Sequence, residues 1–413
     1  MTRARSQLLL AVAVALISLT SPQFVGTNVV AATGGASQPE VAFEARSYAP
    51  GETADLIVWH GTASTVRIDR VGYAGAALAR RDPLAGKPVT RTWMIEAGRR
   101  IAVPIGDWPS GLYVARVAGP GGVGRAPFVV RPNRLGKHRV AVVLPTNTWQ
   151  AYNFRDVDGN GVGDTWYAHP DVASVDLTRP YLDGGVPPKF RGYDRGFLRW
   201  LALRGARVDF LADDDFERVQ TGDHLARIYD LIVFPGHEEY VTTHAYDIVE
   251  RFRDLGGNLM FLSANNFFYR VERRGARLFR LGRWRDLGRP ESALIGAQYV
   301  DWNQNRYPNL PYVVAGARRA GWFFAGTGLR NGDRFGRYGI EIDARTVHSP
   351  RGTQVLARIP NAFGPGKSAE MTWYEAESGA KVFAAGVINF GGSSLWPMSS
   401  RLLDNLWERL TKP

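Results

Sequence analysis

The sequence contains no cysteine in its 413 residues. This absence excludes disulfide bonds, thiol-based catalysis and metal sites built from thiolates. Stability must therefore come from the burial of apolar side chains, which a chain of this length can supply.

Long hydrophobic runs are also missing. The apolar run at residues 8–19 is shorter than the roughly 20 residues that a membrane-spanning helix needs. It follows Arg3 and Arg5 and precedes small residues near Ala32, a pattern that is typical of a secretory signal peptide. We predict a signal peptide at residues 1–32, no transmembrane segment, and a mature protein that is secreted to the extracellular space, the periplasm or the cell wall.

Clusters of basic residues are absent, although the chain is basic overall. It has 51 Lys and Arg against 39 Asp and Glu, a formal net charge of +12, but no run of five or more basic residues. Because nucleic-acid-binding proteins concentrate their basic residues, we expect no nucleic-acid partner. The chain also lacks a Gly-rich phosphate loop and a Gly-x-Ser-x-Gly serine motif. A small molecule or an anionic cell-envelope ligand is the expected partner.

Two kinds of hydrophobic pattern divide the chain. After a flexible leader at residues 33–40, short alternating runs between Gly and Pro turns predict an all-β, immunoglobulin-like (Ig-like) sandwich at residues 41–132. From residue 137 to residue 413, continuous apolar runs alternate with helical patterns. These predict a three-layer α/β domain with a mainly parallel sheet. The predicted fold class is therefore multidomain, all-β followed by α/β.

Three reactive side chains follow one apolar run in the middle of the chain. Residues 231–234 are apolar and precede His237, Glu238 and Glu239. Ligands of open α/β sheets bind just beyond the carboxyl ends of the strands. We therefore predict that this segment is the centre of the function, with Glu238 as the member that faces solvent.

Two further polar residues are candidates for the same site. Asn265 follows the next predicted strand, residues 258–262, and should approach Glu239 because the ends of neighbouring parallel strands converge. Glu341 is either a further carboxylate of this site or an ordinary surface acid on a strand.

The motif Thr148-Trp-Gln-Ala-Tyr-Asn follows the first predicted strand of the α/β domain. Its Trp149, Tyr152 and Asn153 either bind a ligand by stacking and hydrogen bonding or pack a loop against the sheet. Pockets and loop cores use the same residue types, so both interpretations stay open here.

A calcium-loop pattern follows this motif. Asp156, Asp158, Asn160 and Asp164 occupy positions one, three, five and nine of such a loop, with glycine at position six. Position twelve is Tyr167 instead of the usual bidentate glutamate. The segment is therefore either a calcium loop or an ordinary Asp/Gly/Asn turn.

Several motifs together resemble the C-terminal domain of the large (beta) subunit of N,N-dimethylformamidase. The resemblance covers most of residues 137–413. Its motifs are Thr148-Trp-Gln-Ala-Tyr-Asn, Arg179-Pro-Tyr, Gly236-His-Glu-Glu-Tyr, Gly256-Gly-Asn-Leu with Ala264-Asn265, and Gly339-Ile-Glu-Ile-Asp.

The resemblance implies a fold similar to the class I glutamine amidotransferases, which is flavodoxin-like, but without their cysteine. It also implies a mononuclear ferric iron site, held by two tyrosines and one glutamate, that hydrolyses a small amide. Matched by motif, the glutamate is Glu239 and one tyrosine is Tyr152. The second tyrosine is Tyr167, with Tyr181 as the alternative.

The resemblance also implies catalytic roles for His237, Asn265 and Glu341. We therefore hypothesise an exported, metal-dependent hydrolase of a non-peptide C–N (amide) bond. The alternative is a non-catalytic binder of the cell envelope or of carbohydrate. In that case Trp149, Tyr152 and Trp166 would stack on the ligand, and calcium would order the loop at residues 156–164.

Overall fold

The computed structural model describes residues 37–96 and 98–411, which form one compact unit. The predicted signal peptide at residues 1–32 and the first part of the predicted leader lie outside the described residues. Within the described ranges, every helix is too short or too polar to cross a bilayer.

The first part of the chain folds into two sheets that face each other. Its elements are β1 (Glu40–Phe43), β2 (Ser47–Tyr48), β3 (Thr53–His60), β4 (Thr65–Val71), α1 (Ala76–Arg81), β5 (Gly86–Pro88), β6 (Trp93–Met94), β7 (Arg100–Pro104), β8 (Gly111–Gly119) and β9 (Gly122–Val130). One sheet has the order β1-β3-β7, and the other has the order β2-β9-β8-β4-β5, with β6 paired to β4. Alternate residues point inward, so Leu56 and Val58 of one sheet share a core with Ile68 and Tyr113 of the other.

The second of these sheets is buried on its outer face as well. Leu112, Val114 and Val129 point away from the sandwich core and pack in one cluster with Phe197 and Trp200 from later in the chain. The two predicted domains therefore share an apolar contact within one compact unit. The predicted domain boundary between residues 132 and 137 stays a prediction.

The rest of the described chain contains fifteen strands and eight α-helices. The strands are β10 (Val140–Leu144), β11 (Val175–Asp176), β12 (Asp209–Ala212), β13 (Leu231–Phe234), β14 (Tyr240–Thr242), β15 (Asn258–Phe261), β16 (Tyr269–Arg274), β17 (Arg277–Arg283), β18 (Gln298–Trp302), β19 (Leu310–Val314), β20 (Arg334–Tyr338), β21 (Glu341–Ala344), β22 (Gln354–Ile359), β23 (Ala369–Glu375) and β24 (Lys381–Ala384). The helices are α2 (Thr146–Ala151), α3 (Phe190–Tyr193), α4 (Arg195–Arg204), α5 (Asp213–Phe216), α6 (Gly222–Ile228), α7 (Thr243–Asp254), α8 (Glu291–Ile295) and α9 (Pro397–Thr411).

A nine-stranded sheet is the largest element of this part. Its order is β12-β10-β13-β15-β24-β23-β22-β19-β20. The strands from β12 to β24 pair in parallel, whereas those from β24 to β20 pair antiparallel. The prediction of a mainly parallel sheet therefore holds for only half of it. Strands β22 and β23 are joined by a short connection, which antiparallel pairing permits and parallel pairing does not.

The parallel half is apolar on both faces, which explains its continuous hydrophobic runs. On β10, Val142 packs with Phe197 of α4 and Leu406 of α9, whereas Val143 packs with Val249 of α7. The sheet-rich part of the predicted fold class is confirmed, while the division into domains and the resemblance to glutamine amidotransferases stay predictions.

Three features of this arrangement position the candidate site. The loops after β10, β13 and β15 leave the same edge of the sheet. The loops after β13 and β15 lead into β14 and β16 of a second sheet, whose order is β11-β17-β16-β14. In this sheet Tyr240 of β14 pairs in parallel with Tyr269 of β16. Strand β21, paired to β18, then brings Glu341 to that edge.

Candidate functional site

The loops after three neighbouring strands bring Tyr152, Glu239 and Asn265 together. The hydroxyl of Tyr152 donates a 2.6 Å hydrogen bond to Oε2 of Glu239. The backbone N–H of Glu239 donates to Oγ1 of Thr148 at 3.0 Å, which fixes this loop against α2. The side chain of Asn265 lies close enough to Glu239 to lower the pKa of this carboxyl group. The predicted approach of Asn265 to Glu239 is therefore confirmed.

His237 and Glu341 complete this group. Nε2 of His237 lies 3.5 Å from Oε2 of Glu239 and 3.8 Å from Oε2 of Glu341. Nδ2 of Asn265 donates to Oε2 of Glu341 at 2.9 Å. Glu341 is buried, so its interpretation as an ordinary surface acid is wrong. We call Tyr152, His237, Glu239, Asn265 and Glu341 the central cluster.

Burial controls the protonation of the central cluster. Removal from water raises the pKa of both Glu239 and Glu341, and the charge of Glu239 raises the pKa of Glu341 further. Burial lowers the pKa of His237 to about 3 and, with the charge of Glu239, raises the pKa of Tyr152 well above its usual value. His237 is therefore neutral at physiological pH and Tyr152 retains its proton. No described residue forms a hydrogen bond of normal length with either ring nitrogen of His237.

The backbone around the central cluster adopts left-handed conformations at three residues other than glycine. Asn265 and Phe267 have φ angles of +54° and +55°, and Ile340, next to Glu341, has a φ of +70°. A β-branched residue such as isoleucine adopts this left-handed conformation at an energetic cost. Such strain is concentrated at functional sites in proteins, and here it adjoins two members of the cluster.

The two candidates for the second tyrosine lie in different surroundings. The ring of Tyr167 lies 4.9 Å from that of Tyr152, and the pKa of Tyr167 is raised by burial and by Glu341. The ring of Tyr181 packs 6.5 Å from that of Trp149, and the charged groups that most affect its hydroxyl are Arg46 and Arg179. Tyr167 is therefore the one that borders the central cluster.

Sequence reasoning missed two residues at this site. Tyr193 is buried with its ring 6.4 Å from that of His237, and burial and Glu341 raise its pKa. Tyr193 is the last residue of the four-residue helix α3. It does not follow a predicted strand, so the sequence did not indicate that it lies at the site. Oδ1 of Asp343 accepts a 2.8 Å hydrogen bond from the backbone N–H of Asn265. The period of two along a strand places Glu341 and Asp343 on one face, so Asp343 could have been found.

The expectation that Glu238 faces solvent is wrong. Only 1% of its surface is exposed, and its backbone N–H donates to Oδ1 of Asn266 at 3.1 Å. Burial and the nearby carboxylate of Asp213 raise its pKa well above the usual value. Glu238 lies in the loop that follows β13, so its side-chain direction does not follow the inward and outward alternation of a strand. Its side chain points into the protein.

The predicted calcium loop is exposed, and its own backbone contacts its carboxylates. The two carboxylate oxygens of Asp156 accept 2.8 Å hydrogen bonds from the N–H groups of Gly159 and Gly161. Asp164 accepts from the N–H of Val157 at 2.9 Å. In the part of the chain that the structure describes, no three His, Asp or Glu side chains are grouped as a metal site. Calcium binding by Asp156, Asp158, Asn160 and Asp164 stays a prediction.

The predicted aromatic ligand-binding residues are buried. Trp149 and Trp166 are each 4% exposed, Tyr152 is 8% exposed, and Asn153 is 1% exposed. The Trp149 ring packs edge-on to that of Phe190, with 5.8 Å between centroids. These rings therefore offer no exposed face for stacking on a carbohydrate, which removes the main support for a non-catalytic binder.

Comparison with known proteins supports the family. The family described as "N,N-dimethylformamidase beta subunit-like, C-terminal" matches residues 65–395. The chain therefore belongs to the N,N-dimethylformamidase beta subunit-like family. The family points to a role of the amide-hydrolase type. No curated protein matches the chain.

Two solved structures show weak similarity. An uncharacterised protein from Bacillus anthracis str. Ames is 17% identical, with a TM-score of 0.18, over 23% of this chain and 84% of that one. A cycloisomaltooligosaccharide glucanotransferase from Paenibacillus sp., complexed with cycloisomaltoheptaose, is 8% identical, with a TM-score of 0.19, over 86% of this chain and 69% of that one. With TM-scores this low, neither bears on the fold or the function.

Proposed function

We propose that the protein is an exported, metal-dependent hydrolase of a non-peptide C–N (amide) bond. The observation that carries this proposal is the 2.6 Å contact between Tyr152 and Glu239, beside His237, whose Nε2 lies 3.5 Å from Oε2 of Glu239. The geometry unites oxygen donors and a proton carrier at the edge of the sheet where ligands of α/β proteins bind.

The donor set fits a hard cation such as ferric iron. The phenol oxygen of Tyr152 and the carboxylate of Glu239 are close enough to contact one ion together, and Tyr167 borders them. Phenolate and carboxylate oxygens are hard anionic ligands. Tyr193 is a second candidate for the other phenol because it is buried beside His237. When bound, a ferric ion would activate water and polarise an amide carbonyl.

The chain's own residues supply the proton transfers. Nε2 of His237 lies 3.5 Å from Oε2 of Glu239 and 3.8 Å from Oε2 of Glu341, so this ring can relay a proton from the attacking water to the leaving amine. Glu341 retains its proton to a higher pH than a free carboxyl group, and Asn265 holds it in place through the 2.9 Å hydrogen bond. The 2.8 Å hydrogen bond from the backbone N–H of Asn265 to Oδ1 of Asp343 fixes the segment that carries this amide.

Export and calcium binding are inferred from the sequence alone. Export is inferred from the first 32 residues, and calcium binding is inferred from the spacing of residues 156–164. The finer fold assignment, a three-layer α/β domain similar to the class I glutamine amidotransferases, is supported by the five parallel strands of the large sheet.

The experiment is an assay of amine release from a series of linear amides. Protein purified without chelators or affinity metals is compared before and after treatment with a chelator. We expect hydrolysis that is lost on metal removal, restored by ferric iron, and abolished in Glu239→Gln. Glu377→Gln, at an exposed position, is the matched control and should retain full activity. Hydrolysis that survives both metal removal and Glu239→Gln would disprove the proposal.

A further inference from the structure

An open cavity adjoins the central cluster at Tyr152. Its volume is about 360 Å³, and its lining includes Phe154, Tyr167, Leu182 and Val186. This volume lies within the range of roughly 300 to 1,000 Å³ that is typical of pockets for drug-sized ligands. It is far more space than a formamide with a few methyl groups would fill.

A much smaller recess lies on the inner side of Tyr152. It has a volume of about 10 Å³, and His237 and Tyr193 line it. Pro188 and Lys189 line both spaces, as does Tyr152, so the recess and the cavity share one wall. A space of roughly 10 to 15 Å³ holds one water molecule. The reacting end of a ligand must therefore be small, whereas the part beyond it has ample room.

The lining of the outer cavity is apolar and unusually exposed. Phe154, Tyr167 and Leu182 are 40%, 49% and 55% exposed, and all three surround the same opening. The Phe154 and Tyr167 rings meet edge to face with 5.8 Å between centroids. Clustered apolar side chains that remain in contact with water usually mark a binding site for an apolar group. A ligand ring that packs against the exposed Phe154 and Tyr167 rings gains an aromatic contact in addition to the burial of its area.

The charges at the cavity do not favour a charged substituent. Lys189 lines the inner end, and its Nζ lies 5.7 Å from the centre of the Tyr167 ring. Asp183 lines the same cavity and carries the opposite charge. A neutral ligand group meets neither a net attraction nor a net repulsion there.

We propose that the substrate is an amide with a small reacting end and a neutral aromatic substituent, which binds between Phe154, Tyr167 and Leu182. The inference rests on the proposed amide-hydrolase function and names the substrate class. The aromatic ring replaces water over the exposed side chains and fixes the amide group at the entrance of the recess beside His237.

The test uses acetanilide as the aromatic amide and N-methylacetamide as the small one. Direct binding to the full protein is measured by calorimetry, and kcat/KM is measured on the iron-loaded protein. We expect at least about 10-fold tighter binding and higher kcat/KM for acetanilide, the effect of a well-packed apolar group in a pocket. Leu182→Ala should reduce this preference by about 10-fold. Leu203→Ala, a 74% exposed leucine outside the cavity, should leave it unchanged.

The two proposals fail separately in this experiment. If acetanilide binds with the expected preference but neither amide is hydrolysed, the hydrolase function is wrong and the aromatic site stands. If N-methylacetamide is hydrolysed as well as acetanilide and Leu182→Ala changes nothing, the aromatic site is wrong and the hydrolase stands. If acetanilide does not bind, the aromatic site is also wrong. Thermal unfolding of Leu182→Ala confirms that the variant is folded.

Discussion

Tyr152 and Glu239 are 87 positions apart in the sequence, yet the hydroxyl of Tyr152 donates a 2.6 Å hydrogen bond to Oε2 of Glu239. The parallel pairing of β10 with β13 brings their loops to one edge of the sheet. Both side chains are buried, and each retains a proton to an unusually high pH in the absence of a cation. We propose that these two oxygens are ligands of one metal ion.

Replacement of His237 should separate catalysis from metal binding. We expect His237→Asn to lower kcat by about 100-fold to 10,000-fold, the usual contribution of a general acid or base. Metal content should remain at the wild-type level, because the proposed ligands are oxygen atoms of other residues. His348→Asn, at an exposed position, is the control. Full activity in His237→Asn would contradict the assigned role.

Metal affinity should depend on pH. The pKa of Tyr152 is raised well above its usual value, so a cation must displace the proton of this phenol in order to bind. We expect the affinity for ferric iron to rise by about 10-fold or more for each unit of increasing pH, since each ligand proton released contributes one factor of ten. Competition with a chelator of known affinity at several pH values measures this. An affinity that is independent of pH, after correction for the chelator, would show that no phenol ionises on binding.

The left-handed backbone at Asn265 gives a prediction about stability. Its φ of +54° is tolerated by asparagine and glycine, but costs other residues about 1 to 2 kcal/mol. Asn265→Ala and Asn265→Gly both remove the amide that binds Glu341. We expect Asn265→Ala to have the lower free energy of unfolding, by about 1 kcal/mol. Urea denaturation of the two variants measures the difference, and equal stability would mean that the backbone relaxes at this position.

Asp194 should make the free energy of unfolding depend on pH. It is buried, and burial raises its pKa from 3.8 to about 8. The folded state therefore binds the proton more tightly than the unfolded state. The stability that Asp194 contributes is fully present below pH 3.8 and is lost as pH rises toward about 8.

The slope from this one group approaches about 1.4 kcal/mol per pH unit in that window. Denaturation of Asp194→Asn from about pH 5 to pH 8 should show a flatter dependence than the wild type. Asp107→Asn, at an exposed position, should retain the wild-type slope. A wild-type slope in Asp194→Asn would mean that Asp194 is ionised in the folded protein.

The parallel half of the sheet could be predicted from the sequence. Strand Leu231–Phe234 lies where the apolar run placed it, because a strand buried on both faces is apolar throughout. The approach of Asn265 to Glu239 followed from the convergence of strand ends. Local sequence and one rule of topology are sufficient for both predictions.

The rest of the site depends on contacts that local sequence does not encode. Glu341 reaches the cluster because β21 pairs with β18, and nothing in the sequence of either strand specifies that pairing. Tyr193 comes from a short helix without a hydrophobic period. Glu238 lies in a loop, where side-chain direction depends on neighbours such as Asn266. The antiparallel half of the large sheet was missed for the same reason.

The most direct test of the account is the metal content of protein purified without chelators or affinity metals, compared with that of Tyr152→Phe. Tyr307→Phe, an exposed tyrosine, serves as the matched control. We expect about one iron atom per chain and a visible phenolate-to-iron absorption band in the wild type and the control, and loss of both in Tyr152→Phe. A wild-type protein that binds no iron even after incubation with ferric salt, or a Tyr152→Phe variant with unchanged iron and colour, would contradict the account.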